Sequence, residues 1–112
     1  MIFKKNQNII NFMKTLELLK QNRKKIYEIA EKYGVSNIRV FGSVARGEEK
    51  KGSDVDLLVK VRSYKKYCIG SFMRNMFQEE IELMLHRKVD VITEKSLHPL
   101  LKNEITTTAK TL

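Results

Sequence analysis

Gly42-Ser43-Val44-Ala45-Arg46-Gly47-Glu48-Glu49-Lys50-Lys51-Gly52-Ser53-Asp54-Val55-Asp56 is the stretch on which the reading of this chain turns. The apolar run Ile38 to Phe41 enters it and a second, Val55 to Val61, leaves it. Both runs are rich in β-branched residues and short enough to be strands. Gly42-Ser43 then ends one strand, at about 38–42, and the aspartates open the next, at about 55–61. Side chains two apart on a strand share a face. Asp54 and Asp56 therefore point one way, and Val55, Leu57 and Val59 the other. Neighbouring carboxylates repel unless a cation or proton lies between them. Mg²⁺ takes oxygen ligands, often one or two carboxylates together with substrate phosphates. A Gly-Ser turn offers close backbone approach, free N–H groups and a hydroxyl, which are the means of holding a phosphate.

Gly-Ser, ten residues, then Asp-X-Asp resembles the signature of the DNA polymerase β nucleotidyltransferase superfamily. The fuller string is Phe41-Gly42-Ser43-Val44-Ala45-Arg46-Gly47 with Ser53-Asp54-Val55-Asp56-Leu57-Leu58-Val59. It is similar to the minimal nucleotidyltransferase branch. A weaker likeness runs from Met13 to Ile105. A lone Asp-X-Asp is common in loops and calcium sites. A polar hairpin before two solvated aspartates explains the carboxylates, but not Gly-Ser and Ala-Arg-Gly at their offsets.

The chain has 112 residues, which bounds it to one domain with a modest core. Residues 1–12 read as an extension, 13–105 as the nucleotidyltransferase domain and 106–112 as a polar tail, frayed or disordered. Met13 is an alternative start to Met1. No apolar run approaches the roughly 20 residues of a membrane helix, and the N-terminus lacks the apolar core of a signal peptide. A single cysteine, Cys68, excludes an internal disulfide and suits a reducing cytoplasm. Two distant histidines offer no zinc spacing. The net charge of +9 favours anionic ligands or an acidic partner. The cations are spread along the chain without an aromatic platform, which makes nucleic acid the lesser reading.

Phe12, Leu16, Leu19, Ile26, Ile29 or Ala30, and Tyr33 recur at helical spacing, with a break at Asn22-Arg23. The pattern predicts one bent helix or two, stopped by Gly34. Arg62 to Tyr67 reads as a loop, where Tyr64 and Tyr67 are available for stacking on a base. A helix is predicted over 69–85, with Phe72, Met73, Met76, Phe77, Ile81, Met84 and Leu85 inward and Glu79, Glu80 and Glu82 wet. His86 ends it in the left-handed region. Lys88 to Thr93 is the third strand, where Asp90 interrupts an apolar run expected in mid-sheet and is costly there unless paired. Ser96-Leu97-His98-Pro99 opens a short last helix whose apolar side is Leu97, Leu100, Leu101 and Ile105. The fold class is α/β (α+β by strict usage), a small mixed sheet with helices packed on one side and the first two strands antiparallel.

The resemblance implies more than these patterns do. In the family a third carboxylate stands in an Arg-Lys-Val-Asp setting, which Arg87-Lys88-Val89-Asp90 matches. It implies a Mg²⁺-dependent transfer of AMP from ATP to a hydroxyl. Asp54, Asp56 and Asp90 would hold two Mg²⁺ ions and serve catalysis, and Gly42 and Ser43 would bind the β- and γ-phosphates. Arg46 would reach phosphate or tie the loop down. The minimal branch is often paired with a HEPN-domain ribonuclease toxin, so the implied partner is such a protein and the chain its adenylylating antitoxin. Two alternatives are a binding antitoxin with vestigial catalytic residues and a basic nucleic-acid module on the same fold.

Overall fold

The computed structural model describes residues 14–50, 52–62 and 70–112. The expectations for residues 1–13, Tyr64, Tyr67 and Cys68 lie outside the described residues. The elements in order are α1 (Thr15–Gln21), α2 (Arg23–Lys32), β1 (Val35–Phe41), α3 (Gly42–Arg46), β2 (Val55–Val61), α4 (Gly70–Leu85), β3 (Val89–Thr93), a 3-10 turn (Glu94–Ser96), α5 (Pro99–Thr108) and β4 (Lys110–Thr111).

The helical break falls at Asn22, where the amide side chain donates to the Leu18 carbonyl at 2.8 Å and ends α1. Gly34 takes φ 67° one residue past Tyr33, the conformation that stops α2 without a Cβ penalty. Ile26, Ala30 and Tyr33 are buried as their spacing predicts, and Leu18 joins Leu19 in the core.

The sheet order is β3-β2-β1-β4. β1 and β2 are antiparallel, with a bulge between Ser36 and Arg39 where Asn37 has φ 49°. β2 and β3 are parallel. On one face Ile38, Val40, Val55, Leu57, Val59, Val89 and Val91 form a continuous apolar layer. Helices α2 and α4 pack on this sheet, α4 through Phe77, Ile81 and Leu85 at four-residue spacing. Phe72 lies off that stripe and is exposed, against expectation. Five residues turn a helix by about 140° relative to Phe77, which carries Phe72 away from the core. His86 follows α4 at φ 53°, as predicted.

Four further expectations need correction. Asp90 is not in mid-sheet, because β3 is an outer strand and Asp90 is exposed on the face away from the apolar layer. The β3 edge is closed by α4 instead of a further strand. Gln78 accepts from the Val91 N–H at 3.0 Å, Glu82 accepts from the Val89 N–H at 3.2 Å, and Arg74 donates to the Val91 carbonyl at 2.8 Å. Side chains that occupy an outer strand's backbone groups keep it from pairing with another chain. Glu82 is therefore an edge cap, and Glu80 bonds Lys32 and the Tyr33 hydroxyl, so neither is simply wet.

The tail is not frayed. Thr106, Thr107 and Thr108 complete α5, their hydroxyls bonded to carbonyls four residues back. β4 then pairs antiparallel with β1, Arg39 opposite Thr111 and Val40 opposite Lys110. The Leu112 N–H reaches the Ile38 carbonyl at 3.0 Å, and the Leu112 side chain is buried. The unpaired outer edge of β1 supplies what a polar, β-branched segment lacks by itself, a row of backbone partners and one apolar socket. The expected apolar side of α5 is only partly covered: Leu97 and Ile105 are half-buried, and Leu100 and Leu101 are exposed.

Candidate active site

β1 carries the chain to the turn at one end of the sheet. Gly42 sits at φ 73°, which side chains with a Cβ rarely adopt. Its register partner region is acidic, because Phe41 lies opposite Asp56 in β2 and Asp56 opposite Asp90 in β3. A Cβ at Gly42 would overlap Asp56 Oδ2 and lie 3.3 Å from Asp56 Cγ. The glycine thus admits the carboxylate as well as leaving the turn's backbone bare. The turn continues as the single-turn helix α3, which buries Val44 and Ala45 and stops at left-handed Gly47. The Glu48 N–H returns to the Ser43 carbonyl at 2.9 Å, and the Gly47 N–H to Val44 at 3.2 Å.

The three acids predicted from sequence come together at this end. Asp54 is exposed just before β2, Asp56 is half-buried on it, and Asp90 is its exposed neighbour on β3. Burial raises the Asp56 pKa above the usual carboxylate range, the charges of Asp90 and Asp54 raise it further, and Arg46 opposes them. The strand alternation read from the sequence holds, with Val55, Leu57 and Val59 in the core opposite the acids. The acid-bearing face is partly closed farther along the strands. Phe41 and Leu58 are buried outside the main core, the 3-10 turn packs on β2, and Arg39 pairs with Glu94 at 2.5 Å. One Arg39 nitrogen, Nη2, is buried without a hydrogen-bond partner among the described residues.

Sequence reasoning missed the partners of the loop. Arg46 Nε donates to Glu48 at 3.0 Å, in solvent. Glu49 reaches α1, where it accepts from the Thr15 N–H at 2.8 Å and from the Thr15 hydroxyl. Those residues are 34 apart in the chain, and no local pattern announces the contact.

The donor set is one of carboxylate oxygens beside a hydroxyl and free backbone, the chemistry that suits a hard divalent cation. The mutual repulsion around Asp56 is what a cation would relieve. Among the described residues no three acidic, histidine or cysteine side chains converge at metal-holding distance. The acids therefore share one end of the sheet without forming a ready-made cage.

A Gly-Ser turn facing paired strand carboxylates, on a mixed sheet of this order, has counterparts among known proteins. The nucleotidyltransferase domain family matches residues 13–110. The chain belongs to that family. Among relatives of this nucleotidyltransferase is a Methanocaldococcus jannaschii protein provisionally named protein adenylyltransferase MJ0435. It is 41% identical over 83 residues, which cover 74% of this chain and 85% of that protein. A solved structure provisionally described as a minimal nucleotidyltransferase superposes with a TM-score of 0.73 at 29% identity, covering 91% of this chain and 97% of the other. The same fold appears, at 19% identity and a TM-score of 0.57, in a complex of a tri-AMPylated Shewanella oneidensis HEPN toxin with an MNT antitoxin. That match covers 82% of this chain and 69% of the other. The α/β nucleotidyltransferase fold expected from the sequence is the one observed. Among the described residues no helix is long and apolar enough to cross a membrane.

Proposed function

We propose that this nucleotidyltransferase moves AMP from ATP to a hydroxyl of a HEPN-type protein partner. The observation that carries the reading is the juxtaposition at the end of the sheet: Gly42 lacks the side chain that would displace Asp56, and Asp56 feels both Asp54 and Asp90. Names carried by relatives support AMP as the group transferred and a protein as its acceptor.

In the reaction the acceptor oxygen bonds to the α-phosphorus, the bond to the oxygen bridging to the β-phosphate breaks, and pyrophosphate leaves with the electron pair. The backbone of Gly42 and the Ser43 hydroxyl bind the β- and γ-phosphates. Arg46, already near enough to act on Asp56, exchanges its exposed contact with Glu48 for phosphate. Preorganised positive charge at the phosphoryl oxygens is the main source of catalysis in such transfers. Asp54, Asp56 and Asp90 would hold Mg²⁺, two ions in this reading. Bound there, Mg²⁺ supplies charge neutralisation of the phosphates and a more acidic acceptor hydroxyl. Asp90, the more exposed strand acid, takes the proton from the acceptor. The acceptor is oriented by the rim of the site, where exposed Arg46, Lys50 and Lys88 steer an acidic surface.

Incubation with ATP, Mg²⁺ and a HEPN-type protein encoded beside it should add about 329 Da, or multiples, to that protein, as adenylyl transfer requires. Asp54→Asn should abolish the addition. Inhibition of the partner without any mass change would instead establish a purely binding antitoxin.

A further inference from the structure

The loop that joins the glycine turn to the acids contacts the rest of the molecule at a specific point. Its described residues are 47–50 and 52–53, with Gly47 at φ 71° and Gly52 at φ 85°. A Cβ at either glycine would meet nothing within 4 Å, so both serve backbone shape and neither makes a packing contact. Most hydrogen bonds described for this loop stay within residues 43–53. The Lys50 N–H donates to the Ser53 hydroxyl at 2.8 Å, the Ser53 N–H to the Lys50 carbonyl at 2.9 Å, and the Glu48 N–H to Ser43 at 2.9 Å. The exception is Glu49. Its two carboxylate oxygens accept separately from the N–H and the hydroxyl of Thr15 at the start of α1. Thr15 is 1% exposed, the one buried polar residue among the described residues, and Leu18 and Leu19 anchor its helix in the apolar core.

We propose that Glu49 is a positioning residue, a latch that holds the phosphate-binding turn and the approach to Asp54 in register through Thr15. The proposal rests on the reading of this end of the sheet as a nucleotide-transfer site. A bidentate carboxylate fixes both the distance and the rotation of the segment that carries it. Glu49 lies three residues after Arg46 and five before Asp54, so the latch point sits between the cation that meets phosphate and the first of the acids. Its partner is on α1, which packs beside α3, the short helix that ends in Arg46. The same bond supplies one of the orphan N–H groups of α1 with an acceptor, which makes the helix and the loop order each other. A loop held at its middle by a buried hydroxyl has little freedom at its two ends, and reacting groups displaced by an ångström lose much of their rate advantage.

The test compares Glu49→Ala, Thr15→Val, Thr15→Ser and Asn22→Ala in the full chain. Binding of Mg²⁺-ATP is measured by calorimetric titration and folding by thermal denaturation. Asn22→Ala removes the hydrogen bond at the other end of α1, so it weakens the helix without touching the loop. Glu49→Ala and Thr15→Val should each bind Mg²⁺-ATP about tenfold more weakly, the scale of a small misplacement of binding groups. Thr15→Ser, which keeps the hydroxyl, should bind within about twofold of wild type, and Asn22→Ala should melt lower yet bind normally. Amide exchange at Gly47, Glu48 and Ser53 should quicken in Glu49→Ala and not in Asn22→Ala. The proposal is overturned if Glu49→Ala and Thr15→Val bind as wild type, or if Asn22→Ala loses as much affinity as they do. Wild-type protein that binds no Mg²⁺-ATP would refute the transfer reading and the latch's role with it. That result is distinct from normal wild-type binding with insensitive variants.

Discussion

Replacing Gly42 with alanine should damage both the fold and the site, for two separable reasons. The first is backbone strain. Gly42 has φ 73°, and a residue with a Cβ in the left-handed region costs about 1–2 kcal/mol. The second is the collision with Asp56 Oδ2. The half-buried Asp56 carboxylate must then move, and leaving its rotamer costs about 0.5–1.5 kcal/mol. Against these, alanine restricts the unfolded chain and returns about 0.4–1 kcal/mol. The net loss is roughly 1–2.5 kcal/mol, or a fall in melting temperature of about 4–10 °C for a domain of this size. Thermal denaturation of Gly42→Ala, Asp56→Ala and the double variant isolates the second part. In the Asp56→Ala background the collision is absent, so Gly42→Ala should cost about 1 kcal/mol less there. An equal cost in both backgrounds would show that the close approach of Asp56 to Gly42 is not what requires glycine. An Asp56 carboxylate displaced by about an ångström should also lower AMP transfer by about a hundredfold.

Leu112→Ala should destabilise by about 2–3 kcal/mol, read from urea denaturation, because Leu112 fills a core socket; a change under a few tenths would restore the frayed-tail reading. His86→Gly should raise the melting temperature by a few degrees, since it removes a left-handed residue with a Cβ at the end of α4, offset in part by unfolded-state entropy. Glu94 should contribute to an acid limb. Its hydrogen bond to Arg39 holds its pKa below the usual range. That stabilisation is complete above the unfolded value of about 4.3 and is lost as pH falls through the lower folded value. Glu94→Gln should therefore flatten the loss of stability between about pH 5 and the folded pKa, measured by denaturation across pH.

Much of the site was legible because its parts are local. Gly-Ser, Asp-X-Asp and the alternation of Val55, Leu57 and Val59 are each encoded within a few residues. Strand geometry turns such spacing directly into faces. The helix stops at Gly34 and His86 were readable for the same reason, since a left-handed residue leaves its mark one position beyond the helical stripe. The third acid was found through the resemblance, and the environment inferred for it was mistaken. Asp90 looked costly because its neighbours are apolar, but the run Val89 to Thr93 forms an outer strand whose second face is open.

The sequence by itself determined the α/β class, the glycine turn, the acids and the order of the elements as far as the last helix, because backbone sterics and side-chain periodicity act over one or two turns of chain. Only the tertiary structure decided that Asp56 and Asp90 are register partners, that α4 seals the β3 edge with Gln78, Glu82 and Arg74, that Leu112 closes the sheet beside β1, and that Glu49 ties the loop to Thr15. Each of these joins groups far apart in the chain or on different elements. Such pairings depend on which backbone edges and carboxylates are left without partners after the elements have packed, and no single segment carries that information.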